Sequence, residues 1–325
     1  MAHANAGGHL QVPNVQALAQ TWNGSGEQVP ARYVRTEEAG AEVVVAAGAG
    51  CALPVVDLGR LLDPRSSEEE LANLGSACQQ GFFQLINHGV ADEVIRDVKR
   101  DIAEFFKLPL EARKVHAQLP DGLEGYGQVF VFSETQKLDW SDMLYLMLRP
   151  VESRDMRFWP VQPPSFRSPL MMCAGQPPAA HSVSPICWLL QGANLSVYRE
   201  SGYVCRSSVD RYSAETAKVV SCLLRLMAVD MGVEPERLLE LFGGQPQTMK
   251  VTYYPPCRQA GQVIGLSPHT DACAMTLLLH VNDVQGLQIR RGDGKWLAVE
   301  PLDGALTVFV GDVIEESTAN YVIPY

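Results

Sequence analysis

Apolar positions recur with two different periods along the chain, and the change of period organises it. From Leu53, LPVVDLGRLL is a short apolar run that reads as a strand, and GFFQLINHGV reads as a second, buried one. Between them SSEEELANLGSACQQ opens with serines and three glutamates, then carries apolar side chains at helical spacing, the pattern of a capped helix. In ADEVIRDVKRDIAEFFKLPLEARKVH the residues Val94, Val98, Ile102, Phe105 and Phe106 share one helical face, and the helix breaks at Pro109. Another helix is predicted over TAKVVSCLLRLMAVDMGV, ending at Gly232. From Lys250 onward, short apolar runs alternate with Pro, Gly, Asn and Asp, which predicts antiparallel strands of a sandwich or jelly roll. Helices first and strands later predict one α+β body.

Residues 1–52 differ from this text. They are rich in Gly, Ala and polar residues, with a short helical candidate from Val15 to Trp22 and an Ala/Gly/Val linker from Ala39 to Gly50. The formal net charge of −11 argues against a phosphate-backbone partner, so nucleic acid is excluded as an expected ligand. The opening residues hold no basic segment leading into an apolar run, and no window reaches a membrane-spanning length, so a cytoplasmic monomer is expected. Eight cysteines include no C-x-x-C pair, which predicts reduced thiols and neither a zinc site nor a disulfide framework.

Candidate chemistry lies in VIGLSPHTDACAMTLLLHV. On a β-like segment, His269 and Asp271 leave the same face. With a second imidazole from a distant strand, such a pair makes the facial triad that leaves iron positions open for co-substrate and oxygen. The H-x-D triplet alone is weak, because short polar triplets also arise by chance on surfaces.

Context gives it weight. LPVVDLGRLL, GFFQLINHGV, EGYGQVFVFSETQKLDW, RFWP, KVTYYPPC, LSPHTD, VQGLQIRRGDGKW and GDVIE stand in the order and spacing of one family. In these motifs the chain resembles the plant iron(II)- and 2-oxoglutarate-dependent dioxygenases, in the branch of the senescence-related and norcoclaurine-synthase-like enzymes, from Val12 to Arg167 and Ser208 to Glu315. The resemblance implies a double-stranded β-helix (jelly roll) core behind an N-terminal α/β region. It also implies an oxidoreductase that uses Fe(II), with ascorbate as an accessory reductant, to couple decarboxylation of 2-oxoglutarate to succinate with oxidation of a small plant metabolite. By the same resemblance His269 and Asp271 are iron ligands and Tyr254 hydrogen-bonds 2-oxoglutarate, while Thr252 replaces a frequent asparagine. One ring of Tyr253 and Tyr254 is expected in the core by strand alternation. Phe130, Phe132 and Tyr145 are candidate pocket walls, with plain core as the alternative reading. His88 in NHGV is expected to satisfy a buried turn rather than bind metal.

Two departures accompany the likeness. The family's second histidine ligand and its R-x-S pair, whose arginine grips the far carboxylate of 2-oxoglutarate, would fall beyond Tyr325, and EESTANYVIPY differs from the family's text. The last strands of the jelly roll are therefore expected to be missing, leaving an exposed sheet edge. Of the seven histidines only His280 follows the half-site, and its place at the end of MTLLLH predicts a buried or turn-facing ring. Residues 168–207 have no counterpart and no sustained period, which marks an aberrant insertion, with a lid-like loop as the alternative. The expected divisions are thus 1–52 (helix and linker), 53–167 (dioxygenase N-terminal region), 168–207 (insertion), 208–246 (helical segment) and 247–325 (jelly-roll domain). The expected activity is an impaired dioxygenase; the alternative is a catalytically dead homologue with a binding or regulatory role, or a mis-spliced product.

Overall fold

The computed structural model describes residues 10–25, 28–36, 44–45, 53–120, 122–128, 130–167, 207–290 and 294–319. In chain order the first half contains α1 (Val15–Ser25), β1 (Val44–Val45), β2 (Val55–Asp57), α2 (Leu58–Leu62), α3 (Ser67–Gln80), β3 (Phe82–Ile86), α4 (Asp92–Lys107), α5 (Leu110–Lys114), β4 (Gly125–Gly127) and β5 (Asp142–Arg149). The second half contains α6 (Ser208–Asp230), α7 (Glu236–Phe242), β6 (Gln247–Tyr253), β7 (Met275–Leu278), β8 (Gln288–Arg290), β9 (Trp296–Ala298), β10 (Leu306–Val310) and α8 (Asp312–Ala319).

Local sequence explains most of these elements. The predicted face of α4 is buried at Val94, Val98, Ile102, Phe105 and Phe106, and Pro109 follows its last turn because the ring cannot continue the ladder. LPVVDLGRLL splits: only Val55–Asp57 is strand, and the Asp57 carboxylate accepts from Arg60 N to start α2. The helix expected from Thr216 starts earlier, at Ser208, where Ser207 caps it by accepting from Asp210 N. α1 runs past Trp22 to Ser25, and its first two amides, Val15 N and Gln16 N, donate to the buried Asp142 carboxylate at 2.9 and 2.8 Å.

The order of helices then strands is corrected by the sheets. β2 and β3 are laid into the same sheet as the late strands, in the order β2-β3-β10-β7, with β10 antiparallel to both neighbours and Val308 opposite Phe83 and Leu277. A second sheet runs β4-β5-β6 and a third β1-β9-β8. The main core lies between α4, α6 and the β4-β5-β6 sheet, with Phe105, Leu144, Leu146, Leu223 and Leu224 at or below 1% exposure. Burial of a large apolar side chain there contributes about 1.5–3 kcal/mol.

The predicted insertion lies outside the described residues except for Ser207. The chain on either side of it is joined directly: Ser208 N donates to Ser165 O at 2.8 Å and Ser207 Oγ donates to Phe166 O at 2.7 Å. The body is therefore continuous across residues 168–206.

Candidate metal centre

β6 carries the first part of the site. Its pairing with β5 places Val251 opposite Leu144 and Lys250 opposite Tyr145, and because side chains alternate across a strand, Val251 and Tyr253 turn into the core. Tyr253 stacks on Phe106 with ring centroids 5.2 Å apart. Tyr254 is half exposed, and burial of its hydroxyl end raises the phenol pKa, while a hydrogen bond from the Thr252 side chain opposes that shift. Thr252 is thus the immediate polar neighbour of Tyr254. Tyr253 is thus the ring that strand alternation expects in the core.

His269 and Asp271 meet. His269 Nε2 lies 3.4 Å from Asp271 Oδ1, and the side chains are 47% and 28% exposed. The expected strand is absent: hydrogen-bonded β structure begins only at Met275. Tertiary contacts converge the pair instead. His269 Nδ1 is 2.9 Å from Ser267 O, an acceptor only, so Nδ1 carries the proton and donates it. On the far side Asp312 N donates to Asp271 O at 2.9 Å, and Thr270 Oγ1 donates to Asp312 Oδ2 at 2.9 Å. Gly311 permits this approach, since a Cβ there would sit 1.9 Å from Cys273 O and 2.8 Å from Asp271 O.

The donor set fits a divalent first-row metal. With the proton on Nδ1, a neutral His269 turns a bare Nε2 lone pair toward a carboxylate oxygen, and two acceptors facing each other require positive charge between them. A proton can supply it, which is why the hydrogen bond to Asp271 raises the His269 pKa above 6.5 despite burial and the opposing Lys250 charge. In turn the bond to His269 leads the causes that lower the Asp271 pKa. A metal ion can supply the same charge, and imidazole with carboxylate is a donor pair that iron accepts. Lys250 also faces this pair: burial lowers its ammonium pKa, against the pull of Asp271 and Asp139.

No third donor joins them, because among the described residues no group of three His, Cys, Asp or Glu side chains could hold a metal. His88 is buried, its Nδ1 accepting from Val90 N at 3.1 Å and its Nε2 donating to Gly304 O at 2.9 Å, as the turn reading expected. His280 keeps a buried Nε2 without a hydrogen-bond partner, and burial lowers its pKa. Phe130 and Phe132 belong to neither a strand nor the core: each is 51% exposed, and their rings lie 6.4 Å apart around the buried Val131. Tyr145 is half-buried on β5, across from Lys250.

One part of the site had no signal in the sequence. Asp139 Oδ1 accepts from Ser267 N at 3.1 Å, Ser267 Oγ at 2.6 Å and Arg35 Nη1 at 3.1 Å, so a residue far upstream holds the loop that carries His269. Only its neighbourhood, the LDW text, stood out.

Comparison with known proteins identifies the family. Residues 53–164 match the model of the non-haem dioxygenase in morphine synthesis N-terminal region, and residues 245–322 match the 2OG-Fe(II) oxygenase superfamily. The 2-oxoglutarate-dependent dioxygenase 11 of Oryza sativa subsp. japonica is 48% identical over 316 residues, covering 97% of this chain and 77% of that protein. S-norcoclaurine synthase 1 of Coptis japonica is 40% identical over 314 residues, covering 95% and 75%. A crystal structure of JOX2 in complex with 2OG, Fe and JA superposes with a TM-score of 0.70 at 29% identity, covering 94% of this chain and 75% of that one. With a jelly-roll core and relatives that depend on 2-oxoglutarate and iron, the chain belongs to the plant 2-oxoglutarate- and iron(II)-dependent dioxygenases.

Proposed function

We propose that this protein is an oxidoreductase that oxidises a small, largely apolar plant metabolite while 2-oxoglutarate is decarboxylated to succinate. The observation that carries the reading is the approach of His269 Nε2 and Asp271 Oδ1 to 3.4 Å inside a family match. His269 and Asp271 would hold Fe(II), and Tyr254 would hydrogen-bond 2-oxoglutarate. Bound iron supplies the oxidising chemistry at a C–H bond, and the protein's share is placement and exclusion of water. Ser267 holds the His269 proton away from the metal side, and the Lys250 charge favours the ionised form of Asp271. JOX2 holds a small molecule beside 2OG and Fe, which supports a small-molecule substrate here.

The same site favours weak turnover. Two protein donors fix a metal less firmly than three, because water takes the vacant position and the geometry loosens. A second reading, a homologue that binds iron or 2-oxoglutarate without turning over, rests on the lack of a third donor among the described residues. Succinate release by the purified chain, compared with His269→Ala, separates them. The oxidoreductase reading expects slow succinate release that His269→Ala abolishes; release no faster than that of the variant favours the second reading.

A further inference from the structure

We infer that Asp139 is a positioning residue for the iron half-site, setting the His269 ring through Ser267. The inference rests on reading His269 and Asp271 as metal ligands. Three donors converge on one oxygen of Asp139: the Ser267 amide, the Ser267 hydroxyl and the Arg35 guanidinium. The Arg35 guanidinium also donates to Ser267 Oγ, so the three residues close a triangle.

Asp139 is itself fixed on both sides. Leu138 and Trp140 are buried, Leu138 N donates to Arg32 O, Trp140 N donates to Ile264 O, and Trp140 Nε1 donates to Pro255 O at 2.9 Å. Ser267 is therefore anchored by both its amide and its side chain, which leaves its carbonyl aimed at His269 Nδ1. Metal-binding histidines depend on such a partner at the other ring nitrogen, because it fixes the tautomer and the ring plane. In this chain the partner is a backbone carbonyl, and Asp139 holds that carbonyl in place. A purely structural role is the competing view: Arg35 N also donates to Gln262 O, so Asp139 and Arg35 could serve only to staple residues 28–36 to the body.

Nitrogen NMR of the imidazole-labelled, metal-free full chain above the His269 pKa distinguishes the two. His88 is an internal control, since its Nε2 proton is fixed by Gly304 O and it touches none of these residues. In the wild type His269 is expected as the Nδ1–H form. Asp139→Ala is expected to shift it toward a mixture of tautomers with His88 unchanged, and to weaken Mn(II) binding by about tenfold or more. Asp97→Asn, an equally exposed ion-paired aspartate on α4 (both 26% exposed), is expected to leave Mn(II) affinity as it was. Ser267→Ala removes only the hydroxyl contact and is expected to give a smaller change of the same kind, so it carries the test if Asp139→Ala loses the native His88 signals. Unchanged His269 tautomer and Mn(II) affinity in whichever of the two variants keeps the His88 signals would overturn the inference. Failure of the metal reading shows differently: Mn(II) binding by the wild type would then be insensitive to His269→Ala, whatever the tautomer.

Discussion

Gly311 and Cys273 touch through backbone alone: a methyl group at Gly311 would lie 1.9 Å from the Cys273 carbonyl oxygen. That contact seats the start of α8 against the loop bearing Asp271, and Gly311 N donates to Ala274 O at 2.9 Å. Gly311→Ala must separate the two segments. It is predicted to lower stability by about 1–3 kcal/mol, the usual scale of overpacking, and to weaken Mn(II) binding in the same variant. Urea unfolding and calorimetric titration of Mn(II) measure both; unchanged values would show that the loop is held elsewhere.

Protons compete with metal at His269, and the sign is fixed by its pKa. The hydrogen bond to Asp271 raises that pKa above 6.5, so the imidazolium persists to higher pH than in a free histidine. Mn(II) affinity is predicted to fall as pH drops through a window above 6.5, since binding requires the neutral ring. In the metal-free protein the His269 share of the pair's stabilisation is lost as pH rises through its raised folded pKa, and the Asp271 share is lost as pH falls through its lowered one. Asp271→Asn is predicted to bring the His269 pKa down, readable in its imidazole shifts; a pKa that stays raised would assign the shift to Ser267 instead.

A third prediction concerns the ion pair between Arg154 and Asp210. The side chains are 2% and 14% exposed, Nη1 lies 2.6 Å from Oδ1, and the guanidinium covers Trp159 at 4.5 Å from the ring centre. Removing the buried guanidinium breaks this ion pair and uncovers the Trp159 ring, so Arg154→Ala is predicted to cost about 3–5 kcal/mol in denaturant unfolding. A loss below about 1 kcal/mol would mean that the pair is as inconsequential as a surface one.

Residues 168–206 are predicted to be dispensable for folding. Ser165 and Phe166 already hydrogen-bond Ser208 and Ser207, so a short Gly-Ser link from Arg167 to Ser207 keeps every described contact. The shortened chain is expected to melt at the same temperature or higher. A fall of several degrees would give the segment a structural role and favour the lid-like reading of it.

The sequence carried the local part of this picture and missed what depends on distant neighbours. The buried face of α4, a core ring among Tyr253 and Tyr254 and the turn role of His88 all follow from spacing or a flanking glycine, which report local burial. The half-site residues were legible because family motifs surround them. Their strand was misread, because His269 and Asp271 are converged by Ser267 and Asp312 rather than by a ladder. Likewise, periodicity identifies β3 and β10 as strands but cannot say that Phe83 lies opposite Val308, since register between distant strands is set by tertiary packing. Asp139 lies 128 residues before Ser267, too far for any spacing rule to connect them.

The central claim is that one imidazole and one carboxylate of this chain share a single metal ion. Calorimetric titration of Mn(II) into the metal-free protein tests it most directly. One binding event is predicted, weakened at least tenfold by His269→Ala and by Asp271→Ala separately, with the two losses less than additive because both donors serve the same ion. Binding of unchanged strength in both variants would contradict it.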